Sequence, residues 1–190
     1  MTEEQIFDLI DSLQLDSQIT IQDIPDLDLY MDQLITLFEK HLAPTKRRPD
    51  DKLLTKTMIN NYTKNKILIP AQKKKYTVDH VLLMLLIYQL KQVTSMEDIK
   101  TLFGFLKNGE TVDHEKLQFV YLKFLDSQAG QLGAVKDDAR RIAENAKEKT
   151  ADSDMESTDS MLMCLLLFQQ SLNYKRLAEK LLDEMAPDTE

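Results

Sequence analysis

Apolar residues recur at helical spacing along most of this chain. Ile6, Leu9, Ile10 and Leu13 fall on one stripe, the pattern of a helix that turns one face to a core. Behind Pro25 the pattern repeats with Leu27, Tyr30, Met31, Leu34, Phe38 and Leu42. Pro25 is read as opening that helix, with Asp26 and Asp28 in its first turn, where the helix dipole favours acids. A shorter helix is expected over about 54–65, carrying Leu54, Met58, Ile59 and Tyr62. Residues 81–92 are apolar on nearly every side, which predicts a helix at the centre of a core. Ser95-Met96-Glu97-Asp98 reads as a helix N-cap, followed by Ile99, Leu102, Phe103 and Leu106, with Asn108-Gly109 expected to close that helix. Leu117, Val120, Tyr121, Phe124 and Leu125 predict a further helix over 113–127, and 134–149 and 161–185 predict two more.

The helical period fails at three places. Pro44 and Pro49 bracket a basic loop. Ile67-Leu68-Ile69-Pro70 is a short β-branched run, and Lys73-Lys74-Lys75-Tyr76-Thr77 returns after Ala71-Gln72, so the pair reads as a small hairpin, or wing. Residues 150–160 are rich in Ser and Asp and read as a mobile loop. The expected fold is therefore mainly α, with a small β-hairpin wing and additional C-terminal helices. Its expected parts are residues 1–22 (an N-terminal helix and connection), 23–110 (the winged domain) and 111–190 (a helical region for dimerisation or an effector).

Composition supports the α-rich reading, since only four glycines and five prolines interrupt 190 residues. Charge changes the picture more. The net charge is −8, but residues 44–75 carry ten bases against two acids, while residues 1–43 carry ten acids and one Lys. A compact basic block inside an acidic chain points to a polyanionic partner. The one cysteine, Cys164, lies in an apolar stripe and is expected to be buried, and a single Cys fits a reducing compartment. The longest apolar run is shorter than the about 20 residues a bilayer span needs, so a cytoplasmic protein with no membrane role is expected. His41, His80 and His114 show no metal-ligand spacing and read as surface or capping groups. With no glycine-rich phosphate loop and no acid/base pair to assign, no metal, cofactor or catalytic residue is expected, and the chain is not read as an enzyme.

The basic block supplies the candidate chemistry. A helix bearing Lys52, Lys56, Asn60, Asn61 and Lys64 offers amides able to pair bidentately with adenine, and ammonium groups for guanine or phosphate. Arg47, Arg48, Lys73, Lys74 and Lys75 suit neighbouring phosphates, which set affinity more than sequence choice. Tyr76 joins them as the wing's aromatic. Each has a plainer reading: amides cap helices, Tyr62 and Tyr76 fill a core, and lysines protect an edge strand from pairing.

The order Thr57-Met58-Ile59-Asn60-Asn61-Tyr62, Ile67-Leu68-Ile69-Pro70, Lys74-Lys75-Tyr76, Leu90-Lys91 and Ser95-Met96-Glu97-Asp98-Ile99-Lys100 resembles the winged helix-turn-helix domain of MerR-type transcription regulators. The stretch over about 20–110 looks closer still to an uncharacterised bacterial family with a MerR-like domain. That resemblance implies a recognition helix ending at Tyr62, with Lys74 and Tyr76 in the wing's basic and aromatic positions. Lys66 stands where those regulators carry Gly, the turn before the recognition helix is longer, and the interval from Leu90 to Ser95 is about one residue short. The function implied is DNA-binding transcription regulation, with DNA as partner and a possible homodimer through the C-terminal helices. Two other functions stay open: a helical module whose basic face docks an acidic protein, and a small-molecule sensor built on the apolar helix after Ser160.

Overall fold

A computed structural model describes residues 2–109, 111–152 and 154–186. The described chain divides into two compact units, one built from residues 2–16 and 128–184, the other from residues 17–127 with 185–186.

The larger unit begins where Tyr121 Oη donates a buried 2.6 Å hydrogen bond to the Ile19 carbonyl. Thr20 and Asp23 then cap a single 3-10 turn over Ile21–Asp23. Pro25 does not open a helix. The chain stays non-helical to β1 (Leu29–Tyr30), and α2 (Met31–Leu42) starts behind it. The reason is β-pairing: Leu29 and Tyr30 lie opposite Tyr76 and Lys75 of β2 (Lys75–Tyr76), so the residues after Pro25 must stay extended. Leu27, expected on the helix stripe, is 73% exposed. After a long connection come α3 (Lys56–Lys64), α4 (Val78–Leu90) and α5 (Met96–Gly104). Thr55 and Ser95 cap α3 and α5 by accepting from the backbone N–H three residues on.

α4 is the centre of the core, as its all-round apolar sequence predicts. His80 through Ile87 are all buried, and Phe38, Ile59, Ile99, Leu117 and Tyr121 pack in the same cluster. Asn108-Gly109 does not close α5. β3 (Lys107–Asn108) and β4 (Thr111–Val112) form an antiparallel hairpin there, and Gly109 supplies the positive φ of 65° its turn requires. α6 (His114–Ala129) follows. It buries Leu117, Tyr121 and Leu125 but leaves Val120 exposed. This unit thus extends past position 110, because α6 fills its core.

The smaller unit pairs α1 (Glu3–Ser12) with α7 (Gln131–Lys149) and adds α8 (Thr158–Met185). Thr2 and Gln5 form a capping box on α1. The core here is small: Ile6 and Ile10 meet Ala139 and Ala143, with Met163 of α8 packed alongside. Phe7 and Leu132 pack at its margin, and polar and cation-π contacts add to it. Arg140 bonds Glu3 and Lys136 bonds Asp11, each at 2.6 Å, and both cations lie over the Phe7 ring. No described residue of α8 is buried. Cys164, expected inside, is exposed. Met161, Leu165 and Phe168 near it on the helix are exposed as well.

Candidate nucleic-acid interface

α3 sorts its residues cleanly by face. Ile59 and Tyr62 are buried, while Lys56, Thr57, Asn60, Asn61 and Lys64 are exposed. At 3.6 residues per turn the exposed group covers one side of the helix. It is cationic at both ends and carries the two adjacent amides between. Burial raises the Tyr62 phenol above its ordinary pKa, in keeping with a core role for that ring.

The helix ends in a full Schellman motif. The Lys66 N–H donates to the Thr63 carbonyl and the Ile67 N–H to the Tyr62 carbonyl, both at 3.0 Å. The motif needs a left-handed residue where glycine is usual, and Lys66 takes it with φ of 59°. Lys66 therefore closes α3 in the left-handed geometry that a glycine usually supplies.

The wing is smaller than a two-stranded reading of 67–77 requires. Residues 67–69 form no strand. Ile67 and Leu68 are buried instead, and the ladder partner of Lys75–Tyr76 is Leu29–Tyr30 from the other side of α2. What lies between is a tight turn. Gln72 and Lys75 exchange backbone hydrogen bonds at 3.1 and 2.9 Å, and the two central residues, Lys73 and Lys74, have φ of 51° and 64°. Two positive φ values mark the hairpin turn that normally carries Asn-Gly. Placing side chains with a Cβ there costs about 1 kcal/mol each. Three of the basic block's lysines thus occupy backbone positions suited to glycine.

His80 clasps the base of this loop. Its Nδ1 accepts from the Thr77 N–H at 3.0 Å, which leaves Nε2 to donate toward the Pro70 carbonyl at 3.3 Å. One imidazole therefore joins the residue entering the turn region to the residue leaving it. Burial holds His80 below the ordinary imidazole range, opposed by the Pro70 bond and by the charges of Asp79 and Asp28. The Tyr76 ring packs edge-on against it at 5.5 Å and is itself buried. Tyr76, a candidate DNA contact, is a core residue that braces the wing from below. His80, read as a surface or capping group, takes the capping role and is buried in it. Sequence reasoning missed this clasp, although the three-residue spacing from Thr77 to His80 was a signal for it.

α3 and the wing meet at the start of α2. Lys56 Nζ pairs with Asp32 Oδ1 at 2.8 Å. Two residues earlier, Tyr30 pairs with Lys75 in the ladder, and Lys75 Nζ lies 5.6 Å over the Tyr30 ring. The loop with Arg47 and Arg48 leaves from the opposite end of α2. Lys46 there bonds Glu39 at 2.6 Å, and the Arg48 N–H donates to the Asp51 carboxylate. The fold therefore brings Lys56 and Lys75 each against a residue at the start of α2, with Asn60, Asn61 and Lys64 along the exposed face of α3 and Lys73 and Lys74 in the turn before β2. It sets Arg47 and Arg48 at the other end of a helix about 18 Å long, with Lys52 exposed on the connection between. Among the described residues no carboxylate pairs with the side chains of Lys64, Lys73 or Lys74.

Residues 19–124, more than half of the chain, match the family model described as "Domain of unknown function (DUF1836)". The chain belongs to this family. The DUF1836 match begins at the Ile19 that Tyr121 anchors and ends within α6, so it covers nearly the whole larger unit. No curated protein and no solved structure matches the chain. Among the described residues no group of three His, Cys, Asp or Glu side chains could hold a metal ion, and no helix is long and apolar enough to cross a membrane.

Proposed function

We propose that the DUF1836 unit binds duplex DNA as a MerR-like winged helix-turn-helix module and that the protein acts as a transcription regulator, by binding and not by catalysis. One observation supports this reading: the outward face of α3 and the turn at Lys73–Lys74 are both cationic, and Lys56 and Lys75 beside them each contact the start of α2, at Asp32 and Tyr30. In this reading α3 enters the major groove, where Asn60 and Asn61 contact base edges and Lys56 and Lys64 reach bases or phosphates. Lys73 and Lys74 lie on the flanking backbone and set affinity. Lysines at left-handed positions fit the same reading, since strain of this kind persists where function holds the residue in place. Tyr76 supports the wing without touching DNA.

The test is a titration of a labelled fragment of the gene's own upstream DNA across a salt series. About five neutralised phosphates predict a log–log slope of −4 to −5. Lys73→Glu/Lys74→Glu should weaken binding and flatten that slope. Weak binding of one strength for both proteins would mean that the basic face serves an acidic protein instead.

A further inference from the structure

Among the described residues Lys46, Lys75, Lys91 and Lys136 are half-buried lysines. Lys46 and Lys136 each meet a carboxylate at 2.6 Å, Glu39 and Asp11, and Lys75 lies over the Tyr30 ring beside the exposed turn. Lys91, just past the end of α4, is placed differently. Its Nζ lies 5.3 Å over the Tyr88 ring, 3.5 Å from the Leu53 carbonyl and 3.8 Å from Met58 Sδ. No carboxylate among the described residues pairs with it. These surroundings are held in place from behind. Tyr88 Oη shares a 2.9 Å hydrogen bond with Thr45 Oγ1, and its ring packs edge-on against Phe38 at 6.2 Å. Leu53 is buried, and Met58 sits in the first turn of α3.

A ring face, a thioether and one long carbonyl contact are a poor substitute for water around an ammonium ion. With no anion to offset the lost hydration, the neutral amine gains. Burial accordingly holds Lys91 below the ordinary lysine range. The free amine, and not the ammonium ion, is the nucleophile. The site is also open to solvent on one side, since Gln92 and Val93, next in the chain, are exposed. We propose that Lys91 is a site of N-acylation by a small acyl phosphate. The Nζ lone pair attacks the acyl carbon and a C–N bond forms. The bond from that carbon to the phosphate oxygen breaks, phosphate leaves, and water takes up the amine's proton. The amide product is neutral, so it gives up the cation-π contact with Tyr88 and loosens the end of α4 from the residues leading into α3. Any consequence for DNA rests on the function proposed above; the modification itself does not.

The test is a time course of the full chain with acetyl phosphate, in the absence of DNA, followed by digestion and mass spectrometry. Lys91 should gain acetyl several-fold faster than Lys100 and Lys107, which are exposed in the same unit. In urea the preference should vanish, because it belongs to the fold and not to the local sequence. Met58→Glu sets a carboxylate beside the amine and should bring Lys91 down to the rate of the exposed lysines, with circular dichroism unchanged from wild type. Labelling of Lys91 in the folded wild-type chain that is no faster than at Lys100 and Lys107 overturns the proposal, whatever the variant does. So does a preference that survives urea, or one that survives the carboxylate at position 58. None of these readings involves DNA, so a failure here is separate from a failure of the salt titration.

Discussion

The two units resolve their apolar residues in opposite ways. In residues 17–127 a helix that is apolar all round, α4, is enclosed by α2, α3, α5 and α6, and what remains outside on α3 and the wing is polar and cationic. In the smaller unit the core amounts to a few residues between α1 and α7, and α8 packs Met163 there while leaving Met161, Leu165, Phe168 and Leu177 exposed. The first unit can be read as a finished body whose surface carries chemistry. The second has an apolar face with nothing of its own to cover it. The two cases differ in whether neighbouring elements enclose the apolar side chains.

The widest gap between the units should appear on truncating a central side chain in each. Phe38, fully buried in the larger core, should cost about 3–5 kcal/mol when changed to Ala. Leu177→Ala should stay within about 0.5 kcal/mol of the wild-type chain, since Leu177 is 67% exposed. Urea denaturation measures both, and a large loss at Leu177 would mean that α8 is covered within its own chain.

The wing carries the next effect. Because burial depresses the His80 pKa, the unfolded chain takes up a proton before the folded one as pH falls. The stability this gives is present above about pH 6.5, the ordinary imidazole value, and is lost as pH drops below it. Protonation would also remove the acceptor for the Thr77 N–H. Thermal melts from pH 7.5 downward should show the loss, and His80→Gln should flatten that dependence, whereas an unaltered slope would assign it to other groups.

A smaller effect, of opposite sign, is expected at the turn. Lys73→Asn/Lys74→Gly should raise stability by about 1–2 kcal/mol, because Asn and Gly accept the left-handed backbone that lysine resists. DNA affinity should fall in the same variant, so that stability and binding move apart. If both rose, the lysines would have no role in binding. The smallest change belongs to the exposed Lys56–Asp32 pair. Asp32→Asn should alter stability by less than about 1 kcal/mol and tighten DNA binding by freeing Lys56.

Much of the larger unit is legible from periodicity and capping alone. The central place of α4 follows from its unbroken apolar run, and Ser95 and Asp98 mark the start of α5 as their spacing predicts. The wing was harder to read because its ladder joins Leu29–Tyr30 to Lys75–Tyr76 across α2 and α3. A period-two pattern needs more than two residues to be visible, and a partner so distant in the chain leaves no local trace. Local pattern instead favoured Ile67–Ile69, whose first two residues are apolar because they line the core. Lys66, Lys73 and Lys74 were hidden for another reason: a turn is recognised by its Gly or Asn, and here lysine stands in those places. In the smaller unit, α8 is plain as a helix, but its exposure is not. Periodicity identifies an apolar face without naming the element that covers it, which is why Cys164 was expected inside.

The most direct measurement of the DNA-binding claim is the salt dependence of affinity for the wild-type chain and for Lys73→Glu/Lys74→Glu, on one DNA fragment. The account predicts a wild-type log–log slope of about −4 to −5 and a slope shallower by roughly two in the variant. Superimposable lines for the two proteins would contradict it.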